Sequence, residues 1–329
     1  MKVYHQSVFD RWPFEDNSVQ AIITSPPYWG LRKYDIPDVE IDGWKGQYGL
    51  EPSHKDYIAH TILWAKEAWR VLRGDGVFFL NIGDSYGGSG RDRKDYHANN
   101  SGFQGKMGYL RGGLGNNTRA KCKMLIPHRT AIALIDSMVD GWVLRNDIIW
   151  KKIPYMPESV KDRFTKCYEN IFFFVKSQKY FFDHDPIREP LKMNRWSKSN
   201  KLGSSNKDTK TGGGAPGQSP HSWERKGHSG YFDGDGNPLF NPKGRQACDV
   251  WEINIQPSPE KHFAMWPEKL VERMIRCSTK PGDTVLDPFA GSGTTLRVAE
   301  RLNRIGYGID LGYQDIQARR LNEIQKELL

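Results

Sequence analysis

Short apolar runs alternate along the chain with segments in which apolar residues recur at helical spacing. Val19–Ile23, Val77–Ile82 and Thr284–Leu286 have the length and composition of buried strands. Residues 54–73 and 267–279 place apolar residues three and four positions apart, which predicts amphipathic helices. Strands that alternate with helices indicate an α/β fold.

The rest of the pattern predicts further elements and the loops between them. The predicted elements are helices over 127–140, 296–302 and 313–329, and strands over 142–150 and 305–309. Residues 171–175 and 180–182 flank a polar turn, which predicts a hairpin and therefore an antiparallel margin to the sheet. Gly74 and Gly76 are expected to end the first helix, and residues 30–52 are expected to form a loop.

Positive charge is concentrated in two segments that interrupt this pattern. The 329 residues carry a net charge of +9. Residues 85–125 hold eight Lys/Arg against two Asp/Glu, and residues 188–247 hold eleven against five. Both segments are rich in Gly, Ser and Asn and contain scattered aromatic residues. This composition suits contact with nucleic acid; the alternative is a pair of solvated loops.

Composition also restricts the class of protein. The chain has no apolar run of roughly 18 residues, the length of a membrane span, and its N-terminal residues show no signal-peptide pattern. The four cysteines lie far apart and match no zinc spacing. We therefore expect a cytoplasmic protein with no membrane partner and no bound metal.

The first predicted strand runs directly into Thr24-Ser25-Pro26-Pro27-Tyr28. Two consecutive prolines stop the strand and stiffen the turn, and ligands bind at the carboxyl ends of strands in open α/β sheets. Ser25 and the Pro26 carbonyl offer two hydrogen-bond acceptors, and Tyr28 offers a flat ring. Such a set suits the binding of a planar amine. The alternative is an ordinary turn with Tyr28 packed on the core.

A second stretch with candidate functional residues follows the strand Thr284–Leu286. It reads Asp287-Pro288-Phe289-Ala290-Gly291-Ser292-Gly293-Thr294-Thr295, and Asp310 ends the next strand. Strand, glycine turn, helix, strand and acid form the unit that binds adenosine-containing cofactors, with the acid on the ribose. The stretch lacks the lysine of a Walker A loop and the third glycine of a dinucleotide site. Since Asp287 opposes phosphate and suits an ammonium group, the electrostatics favour S-adenosylmethionine.

Both stretches resemble motifs of the amino-DNA methyltransferases. Ile23 to Tyr28 resembles their catalytic motif and Asp287 to Thr295 their cofactor motif. The catalytic motif comes first, as in the permuted β arrangement of that family. Three further segments resemble family segments: His262–Phe263 with Pro267, Arg145–Trp150 and Pro157–Val160. The resemblance implies a Rossmann-like S-adenosylmethionine-dependent methyltransferase sheet with a circularly permuted motif order, an antiparallel margin and two basic, loop-rich inserts.

The resemblance also implies site residues and domain bounds. The catalytic residues would be Ser25, Pro26, Pro27 and Tyr28. The cofactor-binding residues would be Asp287, Pro288, Phe289, Gly291, Ser292, Gly293, Thr294, Asp310, His262 and Phe263. Residues 1–187 would form the catalytic half of one domain, with the basic loop 85–125 inserted. Residues 251–329 would form its cofactor-binding half, and residues 188–250 a target-recognition insert.

One position departs from the family. Its members usually carry an acidic residue near the adenine ring, ahead of the catalytic motif. Here that region reads His5-Gln6-Ser7-Val8-Phe9-Asp10, so Gln6 or Asp10 would have to substitute.

The implied reaction is methyl transfer to the exocyclic amine of a base flipped out of duplex DNA. Ser25, in place of an acid at the first motif position, is typical of the N4-cytosine enzymes, and N6-adenine methylation is the alternative. A C5-cytosine reaction is excluded because no cysteine lies beside a proline pair. RNA methylation and DNA binding without catalysis are two further hypotheses. The sequence leaves open a cognate restriction endonuclease as partner and the choice between monomer and homodimer.

Overall fold

The computed structural model describes residues 1–87, 118–137, 141–155, 157–190, 241, 243–255, 266–315, 317 and 319. Most of both basic segments, together with His262 and Phe263, lies outside these residues. The chain forms two compact units, one of residues 1–183 with 248–329 and one of residues 184–247. The role of the second unit in target recognition stays a prediction.

Ten strands lie in the described residues of the first unit. They are β1 Lys2–Tyr4, β2 Val19–Thr24, β3 Val39–Ile41, β4 Trp44–Gly46, β5 Leu72–Ile82, β6 Val143–Ile153, β7 Tyr168–Val175, β8 Val250–Asn254, β9 Thr284–Asp287 and β10 Ile305–Ile309. Eight of them form one sheet in the order β1-β10-β9-β2-β5-β7-β6-β8. Every neighbouring pair is parallel except the two pairs that β7 makes with β5 and β6. The predicted α/β class is confirmed.

Four helices with described bounds cover this sheet: α1 His54–Val71, α2 Ile126–Asp136, α3 Glu268–Ser278 and α4 Thr294–Arg301. Ser53 caps the N-terminus of α1, where its side chain accepts a hydrogen bond from the Asp56 amide. Helix α1 packs beside α2, and α3 packs beside α4. All six residues of β2 are buried, as expected for a central parallel strand covered on both faces.

The central position of β2 decides where the catalytic stretch Thr24–Tyr28 and the cofactor stretch Asp287–Thr295 meet. Strand β2 lies between β9 and β5, with Ile22 opposite Leu286. Because β2 and β9 are parallel, the catalytic stretch after Thr24 and the cofactor stretch from Asp287 leave the sheet side by side at one edge.

The predicted hairpin at residues 171–182 is wrong. Strand β7 forms, but residues 180–182 are not a strand. Both edges of β7 are already paired, with β5 on one side and β6 on the other, so no edge is free for a further strand. The rings of Tyr180 and Phe182 pack against Phe173 instead, with centroids 5.7 and 5.5 Å away. The antiparallel part of the sheet is therefore β7 itself.

Three smaller expectations also need correction. Helix α1 ends at Val71 and β5 begins at once at Leu72, so Gly74 and Gly76 lie inside the strand rather than ending the helix. The region 30–52, predicted as a loop, contains the antiparallel hairpin of β3 and β4. Strands β1 and β8 were not predicted, because each is short and obtains its stability from pairing with a distant strand.

The second unit is described at residues 184–190, 241 and 243–247. Glu189 and Arg245 pair as an isolated antiparallel bridge and also form an ion pair at 2.7 Å. Asp185 accepts hydrogen bonds from Arg188 and Lys243 at 2.8 and 2.5 Å. Across both units, none of the helices that the structure describes has the length and apolar character needed to cross a bilayer.

Candidate active site

A cleft of about 430 Å³ opens where β2, β9 and β10 end. Its lining includes Ser25 to Tyr28 after β2 and Pro288, Phe289 and Gly291 after β9. Asp310, after β10, and Asn81, near the end of β5, also face it. Two stretches more than 250 residues apart in sequence therefore share one cavity.

Ser25 and Tyr28 belong to one hydrogen-bond network at the catalytic end of this cleft. Ser25 Oγ lies 3.2 Å from Tyr28 Oη and 3.3 Å from Asn81 Oδ1. Tyr28 Oη lies 2.8 Å from Asn81 Oδ1 and 2.9 Å from Glu169 Oε2. The network thus joins residues from β5 and β7 to the turn after β2.

Asn81 sets the direction of this network. Its Nδ2 donates to the Asn170 carbonyl oxygen at 2.8 Å, so its Oδ1 must face Ser25 and Tyr28 as an acceptor. The Ser25 proton is then directed to Asn81 or Tyr28, and the Ser25 lone pairs are left for a donor in the cleft. Sequence reasoning missed Asn81, although a single polar residue inside an apolar strand was a usable signal.

The ring of Tyr28 has a prepared position in the lining. A Cβ atom at Gly83 would stand 2.4 Å from Cδ2 and Cε2 of Tyr28, so only glycine admits the ring there. Burial, with the Glu169 charge second, raises the pKa of the Tyr28 hydroxyl well above its usual value, so the group is a neutral donor. Tyr57 Oη donates to the Pro27 carbonyl oxygen at 3.0 Å and holds the turn from behind.

Lys152 and Glu169 form an ion pair in the lining, next to Tyr28. Lys152 Nζ also lies 4.8 Å from the centroid of the Trp150 ring, which lines the cleft too. Residue 150 on β6 pairs with residue 169 on β7, and this register brings the cation to the carboxylate. Sequence reasoning missed both charged residues, since nothing local marks two strands as partners.

The cofactor end of the cleft consists mainly of backbone. Gly291 has a positive φ of 52°, and a Cβ atom added to it would meet only the Phe289 carbonyl oxygen, 3.9 Å away, within 4 Å. Asp310 accepts hydrogen bonds from the Gly291 and Gly312 amides at 2.7 and 2.8 Å. Burial raises the pKa of Asp310 to about 6. Open space above a glycine, beside a carboxylate with lone pairs to spare, fits a ribose without phosphates.

Aromatic residues that were not predicted flank Asp310. Tyr34 and Tyr313 line the cleft, and burial raises the pKa of each hydroxyl above its usual value. Phe289, a predicted residue, stacks on Tyr48 with centroids 5.6 Å apart. Flat apolar surfaces beside an acid suit the adenine and ribose of S-adenosylmethionine.

Asp287 lies behind the lining rather than in it. Its carboxylate accepts hydrogen bonds from Thr24 Oγ1 and Thr295 Oγ1, both at 2.7 Å, and from the Phe289 amide at 3.1 Å. Burial raises the pKa of Asp287 to about 6. Asp310 is therefore the cofactor-end acid that faces the cleft, whereas Asp287 joins the catalytic strand to the cofactor turn.

The other predicted residues divide into three groups. Ser292, Gly293 and Thr294 do not line the cleft; Gly293, at φ 82°, precedes α4, which begins at Thr294. His262 and Phe263 lie outside the described residues. Of the two candidate substitutes for the missing acid, Gln6 lines the cleft and Asp10 does not. No group of three or more His, Cys, Asp or Glu side chains in the described part of the chain is placed to hold a metal ion.

Sequence comparison adds independent evidence. A family model described as DNA methylase, for the N6 and N4 enzymes, matches residues 19–319. Type II methyltransferase M.Cfr9I of Citrobacter freundii is 36% identical over 317 residues, which cover 96% of this chain and 84% of that protein. Type II methyltransferase M.SmaI of Serratia marcescens is 35% identical over 291 residues, which cover 88% of this chain and 79% of that protein.

Structural comparison finds the same fold. The PvuII DNA methyltransferase, described as cytosine-N4-specific, aligns with a TM-score of 0.58 at 19% identity over 98% of this chain and 89% of that one. A putative DNA modification methylase of Thermus thermophilus, complexed with S-adenosyl-L-methionine, aligns with a TM-score of 0.51 at 20% identity over 98% and 94%. Both confirm the predicted Rossmann-like methyltransferase sheet.

Proposed function

The chain belongs to the DNA methylase family of N6- and N4-specific enzymes, and from that premise we propose that it methylates the exocyclic N4 of cytosine in duplex DNA. As a member of this family it is an S-adenosylmethionine-dependent DNA amino-methyltransferase. The observation that carries the proposal is the position of Ser25. Its hydroxyl, oriented by Asn81, lies in the same cleft as Gly291 and Asp310.

S-adenosylmethionine supplies a methyl group on a positively charged sulfur, and the sulfur keeps the electron pair of the broken bond. Gly291 and Asp310 would hold its adenosine part, with Phe289, Tyr34 and Tyr313 as the apolar walls. S-adenosylmethionine has no phosphate groups, so this assignment needs no basic residue to bind one. It agrees with the site beside Gly291 and Asp310, which fits a ribose without phosphates.

The catalytic end would prepare the amine. Ser25 Oγ and the Pro26 carbonyl oxygen accept hydrogen bonds from the two amine hydrogens, which favours a pyramidal nitrogen with a localised lone pair. Acceptors fixed in advance also stabilise the positive charge that develops on nitrogen during transfer. Tyr28 positions the extruded base by stacking, and positioning alone contributes several kcal/mol to many such reactions. The methylated amine then loses one proton to solvent.

Two features support cytosine over adenine. Along one edge cytosine presents an amine, a ring nitrogen and a carbonyl oxygen, that is, one donor and two acceptors. The cleft offers acceptors at Ser25 and the Pro26 carbonyl and donors at Lys152. Adenine has no carbonyl oxygen for Lys152 to contact. A cytosine-N4-specific protein is among the structural relatives, so the fold accommodates this target base.

Nucleoside mass spectrometry tests the proposal directly. Unmethylated duplex DNAs of varied sequence are incubated with the protein and S-adenosylmethionine, then digested and analysed. We expect N4-methylcytosine. N6-methyladenine would retain the mechanism and overturn the target base, and methylation of RNA alone would overturn the substrate.

A matched pair of variants tests the role of Tyr28. Tyr28→Ala removes the ring and should greatly lower kcat while S-adenosylmethionine binding, measured by calorimetry, is retained. Tyr28→Phe keeps the ring and removes only the hydroxyl that bonds Asn81 and Glu169, so its loss should be smaller. Undiminished turnover by Tyr28→Ala would exclude stacking.

The relatives' names extend the proposal to biological context. M.Cfr9I and M.SmaI are named Type II methyltransferases, so we place this chain in a restriction–modification system with a cognate endonuclease. The segment 188–250 would recognise the target sequence. Sequencing of the modified DNA would define the site, and an endonuclease that cuts there should be blocked on DNA treated with this protein.

A further inference from the structure

Phe164 is the most exposed large hydrophobic residue that the structure describes, with a relative exposure of 98%. The next most exposed of these residues, Ile132, reaches 58%. Holding a phenylalanine ring in water forgoes about 1.5–3 kcal/mol of burial free energy. Single exposed apolar side chains are common on protein surfaces, so the position of Phe164 and its neighbours decide what its ring can contact.

The segment that carries Phe164 emerges beside the cleft. Residues 154–167 connect β6 to β7, and the residues just before and just after it that line the cleft are Lys152 and Glu169. The Lys152 amide donates to the Cys167 carbonyl oxygen at 2.9 Å, which closes the base of the segment. Phe164 thus lies on a loop that leaves and rejoins the sheet at the edge where the cleft opens.

This loop is braced rather than loose. The Arg163 guanidinium pairs with Glu158 and stands 4.1 Å from the centroid of the Tyr86 ring. Lys166 Nζ, on the other side of Phe164, donates to the Asp84 carbonyl oxygen at 3.0 Å. Because a residue on each side of Phe164 is anchored, the loop is held in place and the exposure of the ring does not reflect a frayed end.

The surroundings of Phe164 carry a net positive charge. The basic residues of this loop and of residues 121–123 are Lys121, Lys123, Lys161, Arg163 and Lys166, and the acidic residues that pair with three of them are Asp84, Glu158 and Asp162. Lys121 reaches the loop directly through an ion pair with Asp162 at 2.5 Å. A hydrophobic ring within a basic surface matches DNA, in which stacked bases lie between two rows of phosphates.

We propose that Phe164 inserts into the duplex beside the target base and fills the space that the base vacates when it is flipped into the cleft. This inference rests on the proposed function, since only an enzyme that extrudes a base leaves such a space. Flipping costs a few kcal/mol of pairing and stacking. A ring that stacks on the bases around the gap recovers about 1–3 kcal/mol of this. The loop holds the ring in place beforehand, so little entropy is lost on insertion.

The test compares two duplexes that differ only opposite the target base, one with its normal partner and one with a mismatch. Phe164→Ala should lower kcat/KM on the paired duplex by about tenfold to a hundredfold, the equivalent of the lost stacking. The mismatched duplex should show a much smaller loss, because its target base is already easy to extrude. Phe164→Trp, which keeps a stacking ring, should retain activity on both.

Ile305→Ala is the matched control. Ile305 is 45% exposed and opens β10, at the edge of the sheet opposite the cleft, so kcat/KM should not change on either duplex. A second readout is the fluorescence of a cytosine analogue such as pyrrolocytosine at the target position, which rises when the base leaves the stack. Phe164→Ala should reduce that rise, and S-adenosylmethionine binding should be unaffected.

The outcomes separate this inference from the function beneath it. Equal losses on the paired and the mismatched duplex, or no loss at all, would overturn the role of Phe164 and leave the methyltransferase intact. A loss of self-association on sedimentation, with base extrusion unchanged, would instead make Phe164 a contact between copies of the chain. Failure of the wild-type protein to methylate any DNA would overturn the function and this inference with it.

Discussion

The two ends of the cleft are built in different ways. The cofactor end comes mainly from one continuous stretch, β9 to the turn after β10, with Tyr34 added from residues 30–52, and its key hydrogen bonds run from backbone amides to Asp310. The catalytic end takes Ser25 from the turn after β2 and Asn81, Lys152 and Glu169 from β5, β6 and β7, and its contacts join side chains. Binding a cofactor needs a shape that a local motif supplies, whereas preparing an amine needs acceptors brought together by the whole sheet.

Asp287 joins the two ends. Its carboxylate binds Thr24, next to the catalytic Ser25, and Thr295 on the cofactor side. Asp287 therefore holds the catalytic turn next to the cofactor turn through contacts that lie behind the cleft lining. If the two ends have these separate roles, variants at the catalytic end should change kcat, and variants at the cofactor end should change the Kd for S-adenosylmethionine.

Ser25→Ala should give the largest effect. Removal of one preorganised group at a site of developing charge lowers kcat by about a hundredfold or more. Binding of S-adenosylmethionine, measured by calorimetry, should be unchanged, because Ser25 belongs to the catalytic end. Ser18→Ala, just before the opposite end of β2, is the control and should be neutral. Weaker cofactor binding with normal turnover would show that Ser25 belongs to the cofactor end instead.

Asp287→Asn should change how stability depends on pH. The pKa of Asp287 in the folded protein, about 6, exceeds its ordinary value of 3.8. Folding therefore favours the protonated form, so this contribution to stability is complete below pH 3.8 and is lost as the pH rises through 6. The shift corresponds to on the order of 3 kcal/mol. Urea denaturation between about pH 4 and 7 should show a shallower decline for Asp287→Asn than for the wild type; identical slopes would contradict the buried charge.

Asp310→Ala should act on the cofactor end alone. Loss of a charged acceptor beside Gly291 should raise the Kd for S-adenosylmethionine about tenfold to a hundredfold, at about 1.5–3 kcal/mol per such hydrogen bond. At saturating cofactor, kcat should fall much less. In the wild type, binding should also weaken as the pH falls through about 6, where Asp310 becomes protonated, and Asp310→Asn should remove that dependence. A pH-independent Kd in the wild type would count against a carboxylate contact.

Gly291→Ala and Gly293→Ala should have the smallest effects, and comparing them isolates the contribution of Gly291 to cofactor binding. Both glycines have a positive φ, so either substitution should lower the free energy of unfolding by about 1–2 kcal/mol. Only Gly291 lines the cleft, so only Gly291→Ala should also raise the Kd for S-adenosylmethionine. Equal effects on Kd would mean that strain in the turn, rather than space above Gly291, controls cofactor binding.

The sequence predicted more residues of the cofactor end than of the catalytic end. Gly291, Phe289 and Asp310 were predicted and line the cleft, because their spacing within one β-α-β unit determines their geometry. Asn81, Lys152 and Glu169 were missed, because their meeting depends on the order of β5, β7 and β6 in the sheet. Asp287 was expected beside the ammonium group and is enclosed by two threonines instead.

The sequence by itself determined the α/β class, the positions of most strands and helices, and the two motifs with their order along the chain. Hydrophobic periodicity and turn residues report local preferences, and those were sufficient for elements that form within a short stretch. Only the tertiary structure decided that β7 pairs with β5 and β6, that Asp310 faces the cleft while Asp287 lies behind it, and that Phe164 is held into solvent. Each of these depends on which distant segments of the chain become neighbours. Local sequence preferences do not determine that pairing.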